Sequence, residues 1–298
     1  MIDRREFLQI SGAAALATLA PAVSMAKLRQ LPTRLIPGTD EQLSVIGLGN
    51  SQAFRSGDVE LSTRLIDTFL DHGGAYIDVS GTSRLTVGRI IRDRNAQDRS
   101  FLGNYLSGQD ADELRSEIRT LQVAQGAGPL DLVVKRDVAD LASRADQFRQ
   151  LKDDGLARYV GIGRANERFY PGMMKLMDDG VIDFVQVNYS MIEPEAADDL
   201  LPMAMDKGVA VVINRPFING DYFGIVKGHA LPEWAAEFDC ESWAQFSLKF
   251  ILSHPAVNCV LTETANPKHV LDNLGAGFGR LPDEKTRKTM QKLIQSFI

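Results

Sequence analysis

From Leu43 onwards the chain alternates eight short apolar runs with longer amphipathic stretches. The runs are LSVIGLG (43–49), AYIDV (75–79), SFLGNYL (100–106), LDLVV (130–134), ARYVGIG (157–163), DFVQVNY (183–189), VAVVIN (209–214) and NCVLT (258–262). Strands of a parallel sheet are buried on both faces and read as near-continuous apolar segments, whereas the crossover helices show an apolar stripe of period 3.6. The stretch VELSTRLIDTFLDHG is of the second kind. It places Leu61, Leu65, Ile66 and Phe69 on one face and ends at Gly73, a residue suited to a helix C-terminus. Eight such strand–helix units predict an α/β fold closed into a (β/α)8 TIM barrel. The rival architecture, an open doubly wound sheet, lacks support because no G-x-G-x-x-G turn follows the first run.

Composition sets the remaining bounds. Of 298 residues, 44% are hydrophobic and 24% charged, enough apolar material for one large core and no sign of a disordered chain. The net charge is −6, with no basic stripe, so the electrostatic footprint of a nucleic-acid binder is missing. The two cysteines, Cys240 and Cys259, have no metal-ligand spacing, and the four histidines are scattered. Cys259 lies in an apolar run that reads as a buried strand, so two unconnected core thiols are expected rather than a disulfide.

The N-terminus stands apart from this pattern. Asp3-Arg4-Arg5-Glu6-Phe7-Leu8-Gln9 is followed by the Ala-rich stretch ISGAAALATLAPAV and then Ser24-Met25-Ala26. Paired arginines, a short uncharged segment and small residues flanking a cleavage point resemble a twin-arginine export signal. The resemblance implies that residues 1–26 are removed and that 27–298 form a single barrel domain. It also implies export as a folded protein by the twin-arginine machinery to the periplasm or the exterior. No other segment approaches ~20 consecutive apolar residues, so no stable membrane anchor is expected.

In such a barrel, chemistry sits where the strands end. Three stretches carry a further resemblance: LKDDGLARYVGIG, DFVQVNYSMIEPEAADDLLPMAMDKGVAVVINRPFINGDYF and TETANPKHVLDNLGA. In order and spacing they resemble the aldo-keto reductases. The first is similar to the family's Leu-Lys-x-x-Gly-x-x-Arg-Tyr-x-Gly-x-Ser-Asn segment, the second to its Gln-x-x-Tyr strand, and the third to its cofactor-gripping strand and helix. The resemblance implies hydride transfer between NADP or NAD and a small carbonyl or alcohol substrate. The family's proton donor is a Tyr tuned by a Lys and an Asp, with a His orienting the carbonyl.

Of these four, the chain keeps Asp78. The loop GTSRLTVG holds no Tyr, and Ser83 or Arg84 comes nearest to that position; Asn104-Tyr105 stands at the Lys position and Lys135-Arg136 at the His position. One way to restore proton transfer is for Tyr105 to donate, its acidity raised by Lys135 or Arg136. The cofactor grip is also altered. Gln186 is retained on strand six, but the family's Ser-Asn pair after strand five reads Gly163-Arg164. Asn214 and Arg215 fall at the pyrophosphate position, and Thr264, Asn266, His269 and Asn273 at the adenosine-phosphate end. Glu263 replaces a Lys that often contacts the 2′-phosphate, which sets NADP against NAD. Two further readings stay open: a catalytically inactive barrel repurposed for ligand or protein binding, and a hydrolase or isomerase using Asp78 with Lys135.

Overall fold

The computed structural model describes residues 30–298; the arginine pair and the rest of the proposed export signal lie outside the described residues. All eight apolar runs are strands. They are β1 (Ile46–Leu48), β2 (Tyr76–Val79), β3 (Phe101–Tyr105), β4 (Leu130–Lys135), β5 (Ala157–Gly163), β6 (Phe184–Asn188), β7 (Ala210–Asn214) and β8 (Val257–Thr262). Every neighbouring pair is parallel, and β8 pairs with both β7 and β1, so the sheet closes into a barrel. A closed sheet has no edge strand left unpaired.

The first run divides in a way its composition did not reveal. Gln42–Ser44 pairs antiparallel with Thr33–Leu35, and only Ile46–Leu48 enters the barrel. Ile36 and Leu43 from this hairpin belong to the same buried cluster as Tyr76, Phe101 and Phe184, so the hairpin extends the inner core at the N-terminal end of the barrel. Glu41 accepts a hydrogen bond of 2.8 Å from Tyr159 Oη and pairs with Arg158, tying the hairpin to the start of β5. The opposite end is left for chemistry.

The helix predicted after β1 spans Val59–Asp71. Its Asp58 cap accepts from Leu61 N at 2.9 Å, and it buries Leu65, Ile66, Phe69 and Leu70 against the barrel. Gly73, at φ +86°, lies one residue beyond the C-cap, and its N–H donates to Leu70 O at 3.1 Å. A side chain with a Cβ is disfavoured in that left-handed conformation, which is why glycine ends the helix there. Each fully buried apolar side chain on this face contributes about 1.5–3 kcal/mol.

Inside the barrel, strand pleating sends alternate residues inward. Tyr76, Phe101, Tyr105, Leu132, Val134, Phe184, Val212, Cys259 and Leu261 form this inner core. Its ring pairs include Tyr76–Phe101 at 5.5 Å, edge to face. Space for them comes from glycines: a Cβ added at Gly103 would stand 2.5 Å from the Tyr76 hydroxyl. Both cysteines are free and buried; Cys259 belongs to the inner core and Cys240 to the outer one. Among the described residues no helix is long and apolar enough to cross a membrane.

Candidate active site

The same alternation carries past the inner core to the strand ends. A cavity of about 740 Å³ opens there, and its walls include Asp78, Tyr105, Arg136, Gln186, Asn214 and Glu263. These residues come from β2, β3, the residue after β4, β6, β7 and the residue after β8.

Asp78 is 6% exposed and faces the cavity. Burial is the main influence on its carboxyl and pushes the pKa from 3.8 to about 7. Arg136 pulls the other way, Glu263 pushes further up, and hydrogen bonding to Tyr76 and Gln186 resists the rise. The result is an acid able to hold or release a proton near neutrality.

Tyr105 reaches across the barrel and donates from its hydroxyl to Gln186 Oε1 at 2.9 Å. The Arg136 guanidinium lies over its ring, 4.1 Å from the centroid. Gly163 makes this posture feasible, because an added Cβ there would overlap the Tyr105 hydroxyl. The phenol therefore fills the space that a side chain at the family's Ser position would enter, and it engages the retained glutamine. Burial, followed by Asp78, raises the Tyr105 pKa well above its ordinary value and outweighs Arg136 and Arg164. That direction is opposite to the activation expected from the sequence. It leaves Tyr105 a hydrogen-bond donor rather than a ready acid.

Lys135 does not join this group. Its side chain is buried on the outer face of β4, where Nζ pairs with Asp140 at 2.9 Å and donates to Gly108 O at 3.2 Å. Val134 points into the barrel, so the residue after it must point out, and Arg136 returns to the cavity. An Asp78–Lys135 working pair is therefore not assembled. Ser83 is likewise occupied: its single O–H has two acceptors within reach, Ser80 O at 2.6 Å and Asn50 Oδ1 at 2.7 Å. Arg84 pairs with Glu117 and donates to Tyr105 O at 2.6 Å.

The segment after β7 is strained. Arg215, Ile218 and Asn219 have φ of +52°, +49° and +55°, and Gly220 has +105°. Left-handed conformations in non-glycine residues cost on the order of 1–3 kcal/mol each and gather at ligand sites. Arg215 bonds Glu193 at 3.0 Å through Nη2, while its Nε and the Oδ1 of Asn214 are buried without partners. Such orphaned donors and acceptors are what a bound polar group would satisfy.

A second cavity of about 310 Å³ adjoins the first and shares Phe217, Glu263 and Thr264 with it. Phe223, Ser242, Trp243, His269, Asp272 and Asn273 also line it. His269 is held by Thr264 at 3.3 Å and Asn266 at 3.4 Å. Asn266 lines neither cavity, but it caps the helix Pro267–Gly275 by accepting from Lys268 N at 3.0 Å. The structure thus brings Thr264, His269 and Asn273 to one pocket, next to a helix start that favours anions.

Sequence reasoning missed two participants. Arg55 reaches over the mouth to Glu263 at 3.3 Å, and Glu193 is the partner of Arg215. The loop NSQAFRSG after the first strand was a signal for Arg55, though its pairing with Glu263 joins residues 208 apart.

Comparison with known proteins agrees with this architecture. The aldo/keto reductase family profile matches residues 45–294. Among solved structures, the holo form of aldo-keto reductase AKR11C1 from Bacillus halodurans superposes with a TM-score of 0.73 at 19% identity, covering 89% of this chain and 96% of that one. An aldo/keto reductase from Klebsiella pneumoniae, solved with NADP and acetate, gives 0.74 at 18% identity over 89% and 95%. The glycerol dehydrogenase AKR11B4 from Gluconobacter oxydans gives 0.72 at 18% identity over 89% and 96%. No curated protein sequence matches the chain. With a barrel closed β8 to β1, a cleft at the strand ends and a family profile matched along nearly all of the described residues, the chain belongs to the aldo/keto reductase family.

Proposed function

We propose that this protein is an NAD(P)-linked oxidoreductase acting on a small carbonyl or alcohol substrate with a rebuilt proton-transfer apparatus. On this reading it works in the periplasm or outside the cell after twin-arginine export. The observation that carries the redox reading is the pair of joined cavities at the strand ends, one holding a buried acid and the other the Thr264–His269–Asn273 wall. Two joined compartments suit the two halves of a dinucleotide. The family relatives give the same direction: the Klebsiella proteins were solved with NADP or NADPH.

The residues present fit the adenine and phosphate half well. The orphaned Arg215 Nε–H and the strained backbone after β7 would meet the pyrophosphate, the orphaned Asn214 Oδ1 would accept from a hydroxyl or N–H of the same ligand, and Thr264, His269 and Asn273 would stand at the adenosine end. Glu263 disfavours a 2′-phosphate by charge, so NAD suits the pocket better than NADP. The nicotinamide grip is reduced to Gln186, whose Oε1 already accepts from Tyr105.

A nicotinamide bound there supplies or accepts a hydride at carbon. The matching proton is the chain's own task, and Asp78 is the group suited to it. It faces the cavity, and burial keeps its proton on until near neutral pH. Tyr105 and Gln186 brace one another beside it, and Arg136 is free to orient the substrate.

One observation favours the second reading, a barrel repurposed for binding: the Tyr105 hydroxyl fills the space beside Gly163 and occupies Gln186. The experiment that separates the two is mass and absorbance analysis of nucleotide released on denaturing the purified protein, followed by NAD and NADP titration. Released or tightly titrating dinucleotide supports the oxidoreductase. No release and no binding at millimolar concentration overturns it in favour of the repurposed barrel.

A further inference from the structure

We propose that Arg136 is a carboxylate-binding residue, and that the substrates are small carbonyl or alcohol compounds with a carboxylate beside the reacting carbon. This inference rests on the redox reading above and names the substrate class of the same cavity. Five charged side chains face that cavity: Arg55, Arg136, Arg215, Asp78 and Glu263. Two cations are already matched, Arg55 by Glu263 at 3.3 Å and Arg215 by Glu193 at 3.0 Å. Among the described residues, no acidic side chain lies within ion-pair distance of Arg136. Its one close partner is the Tyr105 ring, at 4.1 Å.

Stacking on a ring uses one face of a guanidinium and fixes its plane, while the N–H donors along its edges stay available. A planar carboxylate takes two such donors in parallel, a fit that a lone ammonium cannot offer. Asp78 is not the missing counter-ion. It is buried, and the cost of burying its charge exceeds the pull of Arg136, so its carboxyl remains largely protonated up to about pH 7. A cavity with one uncompensated cation and one neutral acid is short of an anion. An anionic substrate would supply it and would favour the protonated form of Asp78 through like-charge repulsion.

In the direction of reduction, a bound reduced nicotinamide would supply the hydride for the new C–H bond and be left oxidised. The C=O π pair moves to oxygen, and the Asp78 proton closes the O–H bond. A 2-oxo acid would thus become a 2-hydroxy acid, and Asp78, left as carboxylate, would be reprotonated from water.

The test is calorimetric titration with oxamate, a carboxylate whose amide replaces the ketone, and with its uncharged ester, ethyl oxamate. Wild type, Arg136→Gln and Arg136→Lys are compared with and without NADH, and NADH binding is measured separately for each. Wild type should bind oxamate at least about ten-fold more tightly than the ester. Arg136→Gln should lose about ten- to hundred-fold for oxamate alone, Arg136→Lys should recover part of it, and the Kd for NADH should change less than about three-fold, which also reports that the variants are folded. Equal affinity for acid and ester, or oxamate binding untouched in Arg136→Gln, overturns the inference while NADH binding leaves the redox reading standing. Arg136-dependent oxamate binding without any NADH binding upholds the anion site and rejects the redox reading; absence of both rejects the two together.

Discussion

Replacing Asp78 by Asn removes one proton-binding site whose affinity differs between the folded and unfolded chain, and the consequence for stability can be worked through. In the unfolded chain the carboxyl titrates near its ordinary 3.8, and in the fold at about 7. The gap, at 1.36 kcal/mol per decade of proton affinity, corresponds to roughly 4 kcal/mol. Water in the 740 Å³ cavity screens part of this, so about 2–4 kcal/mol is expected.

The sign follows from linkage. The native state binds the proton more tightly, so the contribution is fully present below pH 4, declines as pH rises from about 4 to 7, and is absent above. Asn cannot ionise. The variant should therefore match wild type near pH 4 and exceed it by about 2–4 kcal/mol at pH 8, or roughly 5–10 °C in melting temperature for a barrel of this size. Urea and thermal denaturation of nucleotide-free protein across pH 4–9 measure the difference directly. Parallel curves would mean that Asp78 titrates alike in both states. A wild type that gains on the variant as pH rises would mean that Arg136 outweighs burial, and the case for Asp78 as proton donor would fall with it. In turnover assays the same substitution should cost at least about a hundred-fold.

Other perturbations probe the neighbouring residues. Tyr105→Phe strands the acceptor on Gln186 and should cost about 1–2 kcal/mol, while turnover stays within about three-fold because the proton comes from Asp78; a hundred-fold loss would return the donor role to Tyr105. Gly163→Ala should cost about 1–3 kcal/mol through its clash with the Tyr105 hydroxyl, and a double-mutant cycle with Tyr105→Ala should recover most of it; additive effects would contradict the shared space. Glu263→Lys should raise the NADP-to-NAD affinity ratio by about ten-fold in parallel titrations, with no change if the residue lies away from the ribose. Cys240 and Cys259 should stay silent to a thiol reagent in the native protein and react fully on unfolding without reductant, since both are buried and unbonded and burial raises both pKa values.

Much of this molecule is legible in one dimension. Strand and helix periods differ, so the eight runs and the helix after the first of them were readable, and the order of motifs indicated the family. Asp78, Tyr105, Arg136, Gln186 and Asn214 could be shortlisted because barrel chemistry gathers at strand ends. Which of Lys135 and Arg136 enters the cavity was not readable. β4 reads LDLVV, in which Asp131 alone marks the outer face, too slight an alternation to fix the phase as far as Lys135. Only the register of Tyr105 on Val134 and Val134 on Gly161 sets it, sending Lys135 to Asp140 and Arg136 to the ring of Tyr105.

The same holds for the substitutions taken together. Read singly, Tyr105 and Gly163 are two departures from the family pattern; in the fold the tyrosine uses the room the glycine leaves, to reach a glutamine 81 residues away. The acidity of Asp78 is likewise a property of its surroundings, set by burial and by groups from distant strands. Local periodicity is written into the chain and determines what elements form. Phase, shared volume and solvation exist only once those elements close around a common axis, and here they decide the chemistry.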